Sequence, residues 1–538
     1  MATLSRFDTH EVFNQSPPYE NVDLFASDVP LKEAVAANGA AGEAAALSGF
    51  GRHWGTAEMF AQGRRANENA PKLATFDAKG FRRDTVEFHP AYHDFMTQSV
   101  AAGLHASSWT ETGSRAAAPA EVARSARFYM AAQVETGHLC PITMTRASVA
   151  ALAAEPVLAA QVVPKVATRL YDPTFRPWRE KSGMTLGMGM TEKQGGTDVR
   201  ANTTIATPLG DGYSLVGHKW FFSAPMSDAF LALAQAPGGL TCFLLPRFRP
   251  DGTVNALRFQ RLKDKLGNRS NASSEVEFTD AFAWRVGDEG AGIRTILQMV
   301  QLTRLDCAVA SAGLMRMALA QALHHCRHRN VFGKPLSEQP MMRAVLADMA
   351  LDVEGAVASV MRLSRALDRA GTDAHDAAYA RLLTPAAKYR ICKLAPGFVF
   401  EAMECLGGNG YVEESLLPRL YRESPVNAIW EGSGNVMCLD VLRALKHDSE
   451  AGVVAVLARE AGVGGGDLAV ASEGDARGFV ERLAMMASAA ALCGTAPAAV
   501  SDAFIQTRLA HRQGPIYGAS ALDASTIELL LQRALPET

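Results

Sequence analysis

The most constraining feature of this chain is a stripe of apolar side chains in its second half. Met342, Val345, Leu346, Met349, Val353, Val357, Val360 and Leu363 recur at every third or fourth position. A helix with so long an apolar face must bury that face against other helices. The run Asp306 to Arg329 has the same texture, so the two predict neighbours in a helical bundle. The preceding hundred or so residues read differently. Tyr213–Phe222, Phe230–Ala234, Cys242–Leu245 and Val276–Phe278 are short apolar runs bounded by Asp211-Gly212, Pro237-Gly238-Gly239 and Asp251-Gly252, the signature of strands and turns. Helical spacing also marks the Ala-rich N-terminal part, as at Val122, Ala123, Ala126, Phe128, Met130 and Ala131. Beyond the glycine run Gly462–Gly466, a flexible break, composition is again helical. The expected architecture is α+β: an N-terminal helical domain (1–184), an antiparallel β-domain (185–290), a helical bundle (291–446) and a C-terminal helical extension (447–538).

Several classes are excluded by composition. The 538 residues are 48% hydrophobic, ample to offset chain entropy, so disorder is not expected. With 53 basic against 56 acidic residues the net charge is −3, which argues against wholesale coating of nucleic acid. No apolar run approaches the ~18 residues of a membrane span. The N-terminus meets acid and Pro17-Pro18 before any apolar core, unlike a signal peptide. The eight cysteines form no C-x-x-C, so reduced thiols and a cytoplasmic location are expected. His324, His325 and His328 lack carboxylates in register, so no metal is expected there.

Five stretches carry candidate chemistry. Gly187–Val199 is dense in glycine, with Thr191 and Thr197, and lets backbone N–H groups approach a ring edge or phosphate; it is no P-loop, and alone it equally describes a surface loop. Trp220–Ser223 sets adjacent aromatics beside a hydroxyl, which suits a core strand or a wall for a planar cofactor. Arg327–Leu336 places Arg329 at a helix C-terminus, where it can meet a phosphate. Cys405–Tyr411 turns the chain on glycines at a helix end. In Ile429–Asn435, Ser433 or Asn435 is placed to cap the following helix, and Glu431 follows an apolar pair. Burial would raise its pKa and suit it to abstract a weakly acidic proton, although a capping-region Glu has the same pattern.

Taken in order, these stretches resemble the acyl-CoA dehydrogenase family of flavoproteins, whose signatures are Thr-Glu-x-x-x-Gly-Ser-Asp, Trp-Ile-Thr, Arg-x-x-Phe-Gly, Leu-Gly-Gly-x-Gly-Tyr and Tyr-Glu-Gly-Thr. Met190–Val199, Gly217–Ser223, Leu262–Ala272 and Thr9–Asn14 narrow the likeness to the branch induced in the adaptive response to DNA alkylation. The resemblance implies one FAD per subunit in a homotetramer, a dimer of dimers. It implies that Met188, Gly189, Met190, Thr191, Thr197, Phe221, Phe222 and Ser223 hold the flavin, with Ser223 near N5. Ile429, Trp430, Gly432, Ser433 and Asn435 would cover another face. Arg329, Phe332 and Gln339 would reach a neighbouring subunit's FAD, and Gly407 and Gly408 would also contact the cofactor. Glu431 matches the catalytic base, acting on a short branched acyl-CoA such as isovaleryl-CoA. Trp430 is bulkier than the usual Tyr and would narrow the acyl pocket, and Glu404 replaces a common Gln, so no FAD contact is placed there. The alternative is a protective DNA-binding flavoprotein with vestigial activity. Against it, residues 451–538 hold six arginines, no lysine and nine acids, so only weak, sequence-independent duplex binding is expected.

Overall fold

The computed structural model describes residues 9–462, 472–510 and 516–536. Of the glycine run, residues 463–466 lie outside the described residues, as does Arg512. Three long helices form the centre: Gly292–His328, Pro340–Arg369 and Ala374–Cys405. The expected stripe explains the second of them, because Leu346, Met349, Val353, Val357, Val360 and Leu363 are all buried. Its start has Pro340 but no side-chain cap bond. A cap is worth about 1 kcal/mol, whereas each buried Leu, Val or Met contributes about 1.5–3 kcal/mol, so packing decides.

On this centre pack the N-terminal helices Ala120–Ala132 and Leu139–Leu152, and the extension helices Ala476–Cys493 and Ala524–Ala534. Between the N-terminal helices and helix Gly292–His328 lies a fully buried ion network. Arg124 and Arg146 both meet Asp306, and Arg146 also meets Glu121 at 2.5 Å. Burial pushes the Glu121 carboxyl up, but Arg146, Arg115 and Arg124 overcome this and hold it down to about 2. The N-terminal part also carries a hairpin, Lys72–Phe76 with Arg82–Glu87, that the helical reading did not anticipate.

The β-region spans strands from Leu186 to Val286. Strand Ala229–Ala236 pairs with Gly239–Pro246, that with Ser273–Val286, that with Gly212–Ser223, that with Ile205–Leu209, and Ile205 returns to Gln235, so the sheet closes. Most pairs are antiparallel as expected, but Leu186–Gly189 runs parallel to Ala229–Ala236. Phe222, Phe230, Phe243, Phe259 and Phe278 fill its interior. Among the described residues no helix is long and apolar enough to cross a membrane. The cysteines are unbridged, and seven are buried; Cys493 is exposed.

Candidate active site

Glu431 lies in the tight turn between helix Val426–Ile429 and helix Gly434–Ala444. Its φ is +58° and that of Gly432 is +101°. A non-glycine residue in this region carries strain of order 1–3 kcal/mol, so its surroundings must enforce it. Two buried cations do so through the backbone: Arg304 Nε donates to the Glu431 carbonyl at 3.0 Å and Lys388 Nζ to the Gly432 carbonyl at 2.8 Å. Arg304 also bonds Asp440 at 2.6 Å, pinning the following helix. The Glu431 side chain accepts one hydrogen bond, from Thr303 Oγ1 at 2.6 Å. Burial raises its pKa, and the Thr303 hydrogen bond, Lys388 and Arg304 reverse this only in part. The result is a carboxyl with a raised pKa, partly accessible to solvent, which is the state a general base requires.

Beside it the Trp430 indole is locked, donating to Asn427 Oδ1 at 3.0 Å while Asn427 donates to Ser311 at 3.1 Å. Trp430 and Met188 pack on a small apolar cluster of Cys140, Met144 and Ala224. This cluster joins the base-bearing turn to the barrel strand that ends in Ser223. Ser223 and Ser273 are paired in register across two strands, with hydroxyls 3.1 Å apart. Trp430, Glu431, Met188 and Ser223 therefore gather around this cluster, between bundle and barrel.

The glycine-dense loop is held from below. Glu192 is buried against Lys219 at 2.8 Å and accepts from the N–H groups of Thr203 and Thr204. Burial would raise its pKa, yet Lys219 and these bonds keep it well below the usual carboxylate range. Thr191 bonds Trp220 N through its carbonyl, Met190 accepts from Asn202, and Thr197 is exposed. Gly187 and Gly189 serve packing, since a Cβ at Gly189 would meet the Phe222 ring at 2.5 Å and one at Gly187 the Phe230 ring at 2.5 Å. The Phe222 side chain does not face the flavin side expected for it, which leaves its backbone for that contact. Strand alternation turns the side chain into the barrel core, opposite to exposed Phe221 and to Ser223. The capping expectation also fails: Ser433 occupies the N-cap position without a side-chain cap bond, and Asn435 instead accepts from Arg477 of the extension at 2.9 Å. The first turn of this helix, beside Gly432, is left open to an acceptor.

A second group of expected residues gathers elsewhere. Arg329 follows the end of helix Gly292–His328, and its Nη1 donates to the Asn14 carbonyl at 2.7 Å. Phe332 is 96% exposed with φ +53°, and Gln339 Nε2 donates to the Val331 carbonyl at 2.8 Å. Gly407 and Gly408, at the end of helix Ala374–Cys405, face open space. The contact of Cys326 Sγ with the Cys405 carbonyl sets these two helix ends side by side. Thr303 and Arg329 are 26 residues apart on one helix, about 39 Å at 1.5 Å per residue, so this group lies far from Glu431.

Three stretches match sequence families: residues 14–173 the adaptive response protein AidB N-terminal domain, 187–281 the acyl-CoA dehydrogenase middle domain, and 290–446 the acyl-CoA dehydrogenase C-terminal domain. The putative acyl-CoA dehydrogenase AidB of Escherichia coli (strain K12) is 54% identical over 460 residues, 84% of this chain and 83% of that protein. The chain belongs to the acyl-CoA dehydrogenase family. A second relative, acyl-CoA dehydrogenase family member 11 of Caenorhabditis elegans, is 34% identical over 74% of this chain and 66% of that protein. The solved structure of C. elegans ACDH-11 in complex with C11-CoA superposes with a TM-score of 0.82 at 27% identity, covering 99% of this chain and 94% of that one.

Acyl-CoA dehydrogenases are FAD-dependent oxidoreductases, and within this family the open helix start at Gly432–Gly434, the Ser223 hydroxyl and the Trp430–Met188 wall fit a flavin. Ile429, 67% exposed, stands at the rim of the same turn. Sequence reasoning missed Thr303, Arg304, Asn427 and Lys388. Thr303, Arg304 and Lys388 lie on helices distant in sequence and reach the turn only through the fold, whereas Asn427 sits on the short helix just before it. His324 and His325 hold the N-terminal segment, meeting the Pro17 carbonyl at 2.8 Å and Ser16 at 3.0 Å.

Proposed function

We propose that this chain is an FAD-dependent acyl-CoA dehydrogenase acting on a short, branched acyl thioester of the isovaleryl-CoA type, in an AidB-like role linked to alkylation damage. The observation that carries the reading is Glu431, a carboxyl with a raised pKa held in a strained turn beside a closed apolar wall. FAD, when bound, supplies the hydride acceptor. The protein's own residues do the rest. Glu431 Oε receives the α-proton of the acyl chain, while Thr303 orients the carboxylate and Arg304 and Lys388 hold its backbone in place. Ser223 presents its hydroxyl to the flavin edge, and the open turn at Gly432 and Ser433 offers N–H groups to the cofactor. The locked Trp430 indole, backed by Met188 and Cys140, limits the length of acyl chain and keeps water from the reacting carbons.

The distance between the two residue groups supports an oligomer. One flavin in contact with Glu431 cannot also reach Arg329, Phe332 and Gln339 of the same chain. A second copy supplies them, as in a dimer of dimers. The test is anaerobic mixing of the yellow protein with isovaleryl-CoA while following loss of the flavin band, with Glu431→Gln as control. Bleaching in the parent and loss of about 10²–10⁴-fold in the variant is expected. Equal bleaching in both removes Glu431 as the base.

A further inference from the structure

Lys265 lies on the loop between strands Leu257–Leu262 and Ser273–Val286, and the base chemistry above makes no use of it. Its ammonium donates to the Asn271 carbonyl at 2.7 Å and to Ser273 Oγ at 3.2 Å. Burial lowers its pKa, an effect that Cys140, Glu423 and Glu135 only partly offset, leaving it at about 8. The loop is held from both sides, because Glu423 accepts from Asn268 N and Nδ2 and Glu135 accepts from Ser270 at 2.7 Å. Cys140, in the apolar cluster beneath Trp430, lies close enough to feel Lys265, Asn271, Ser223 and Glu431. Lys265 therefore stands behind the Ser223 side of the cluster.

The ammonium at the end of the chain leaves two directions open to the next bond. An ammonium only donates, so Ser273 Oγ accepts from Lys265; between Ser273 and Ser223 Oγ, 3.1 Å apart, either hydroxyl can be the donor, and the arrangement that serves a flavin acceptor is the one in which Ser273 gives its proton to Ser223. Ser223 has then accepted, and its own proton is directed outward. We propose that Lys265 is a positioning residue that, acting through Ser273, fixes Ser223 as a hydrogen-bond donor toward the flavin and places a positive charge behind the flavin's reactive edge. The inference rests on the placement of Ser223 at the flavin in the function proposed above. A cation in a poorly solvated position favours the more negative, reduced form of a bound redox group over the oxidised form.

The test is the two-electron midpoint potential of the FAD holoenzyme, measured against a reference dye, in the parent and in Lys265→Met and Ser273→Ala. Lys265→Met is expected to weaken binding of reduced relative to oxidised FAD about tenfold, a fall of ~30 mV. Ser273→Ala keeps the charge and breaks the chain, and is expected to lower the potential by a smaller amount and to shift the visible flavin band. Yellow variants with the parent's potential overturn the proposal, and a fall confined to Lys265→Met overturns the part played by Ser273. If Lys265→Met does not fold, Ser273→Ala decides alone: an unchanged potential and band overturn the proposal. A parent chain that binds no FAD overturns both this and the reading beneath it, which sets that failure apart.

Discussion

Replacing Thr303 by Val removes one hydroxyl from beneath the base and leaves the volume of the site nearly unchanged. In the parent, Thr303 Oγ1 lies 2.6 Å from Glu431 Oε2 and 3.0 Å from the Val300 carbonyl. Its one proton serves the carboxylate when Glu431 is ionised and can turn to Val300 when Glu431 is protonated. The hydroxyl therefore stabilises both states, the charged one more. A hydrogen bond to a charged group is worth about 1.5–3 kcal/mol and a neutral one about 0.5–1.5 kcal/mol. The difference of about 1–1.5 kcal/mol corresponds to roughly one pKa unit. Glu431 already sits above the usual carboxylate range because of burial, and losing Thr303 raises it further. The base works as a carboxylate, so the rate of flavin reduction rises with pH through this pKa. In Thr303→Val that rise should move upward by about one unit, and well below it the rate at a fixed pH should fall roughly tenfold. Stopped-flow flavin reduction with saturating acyl-CoA across a pH series measures both. A midpoint that stays in place or moves down refutes the assignment of Thr303 to the carboxylate, and with it the reading of Glu431 as the titrating base.

Arg329→Ala should weaken FAD retention by about 1.5–3 kcal/mol, some 10–150-fold in Kd, read by flavin fluorescence on dilution. Light scattering should give a tetramer, and a 57.5 kDa monomer that still holds FAD contradicts the shared site. Arg508→Met should destabilise the extension by about 3–5 kcal/mol in urea unfolding, because it removes the buried cation that bonds Asp348 and Asp352 at 2.7 and 3.0 Å. Duplex DNA should bind weakly and dissociate near physiological salt, since Arg508 and Arg533 are buried on carboxylates; sub-micromolar affinity at about 150 mM salt contradicts this.

How much of this was legible in the sequence depends on the range of the physics involved. The stripe from Met342 to Leu363 and the strand runs around Tyr213 and Phe230 are local patterns, and each became the element its period implies. Helix Ala374–Cys405 was harder to read because Pro385 and Pro396 interrupt it. An interior proline costs about 3 kcal/mol, and here burial among helices outweighs that cost. The hairpin at Lys72–Glu87 was missed in an Ala-rich region, although Asp77–Gly80 is an ordinary turn between two short runs. In the site, Glu431 was visible because an acid after Ile-Trp is unusual. Its partners Thr303, Arg304 and Lys388 were not, since nothing in their neighbours distinguishes them from other bundle residues. The Phe222 side chain points into the core because adjacent aromatics share a composition but not a face.

The extension is the part whose meaning changes most once the packing is seen. By charge it is acidic and by composition unremarkable, which leaves its role open. In the fold, Arg533 joins Glu354 of the bundle to Glu33 of the N-terminal part, both at 2.6 Å. Arg508 is buried between Asp348 and Asp352, while Tyr517 and Ser520 complete their hydrogen bonds. Arg477 reaches Asn435, four residues beyond the base. Arg508 and Arg533, spent in this way, are withdrawn from any phosphate surface, while the exposed Arg477 ties the extension to the helix that follows Glu431. The extension therefore meets the base-bearing part of the bundle at helix Gly434–Ala444, through Asn435. Arg508 and Arg533 are cross-links within one molecule, and Arg477 adds a contact to the helix that follows the base.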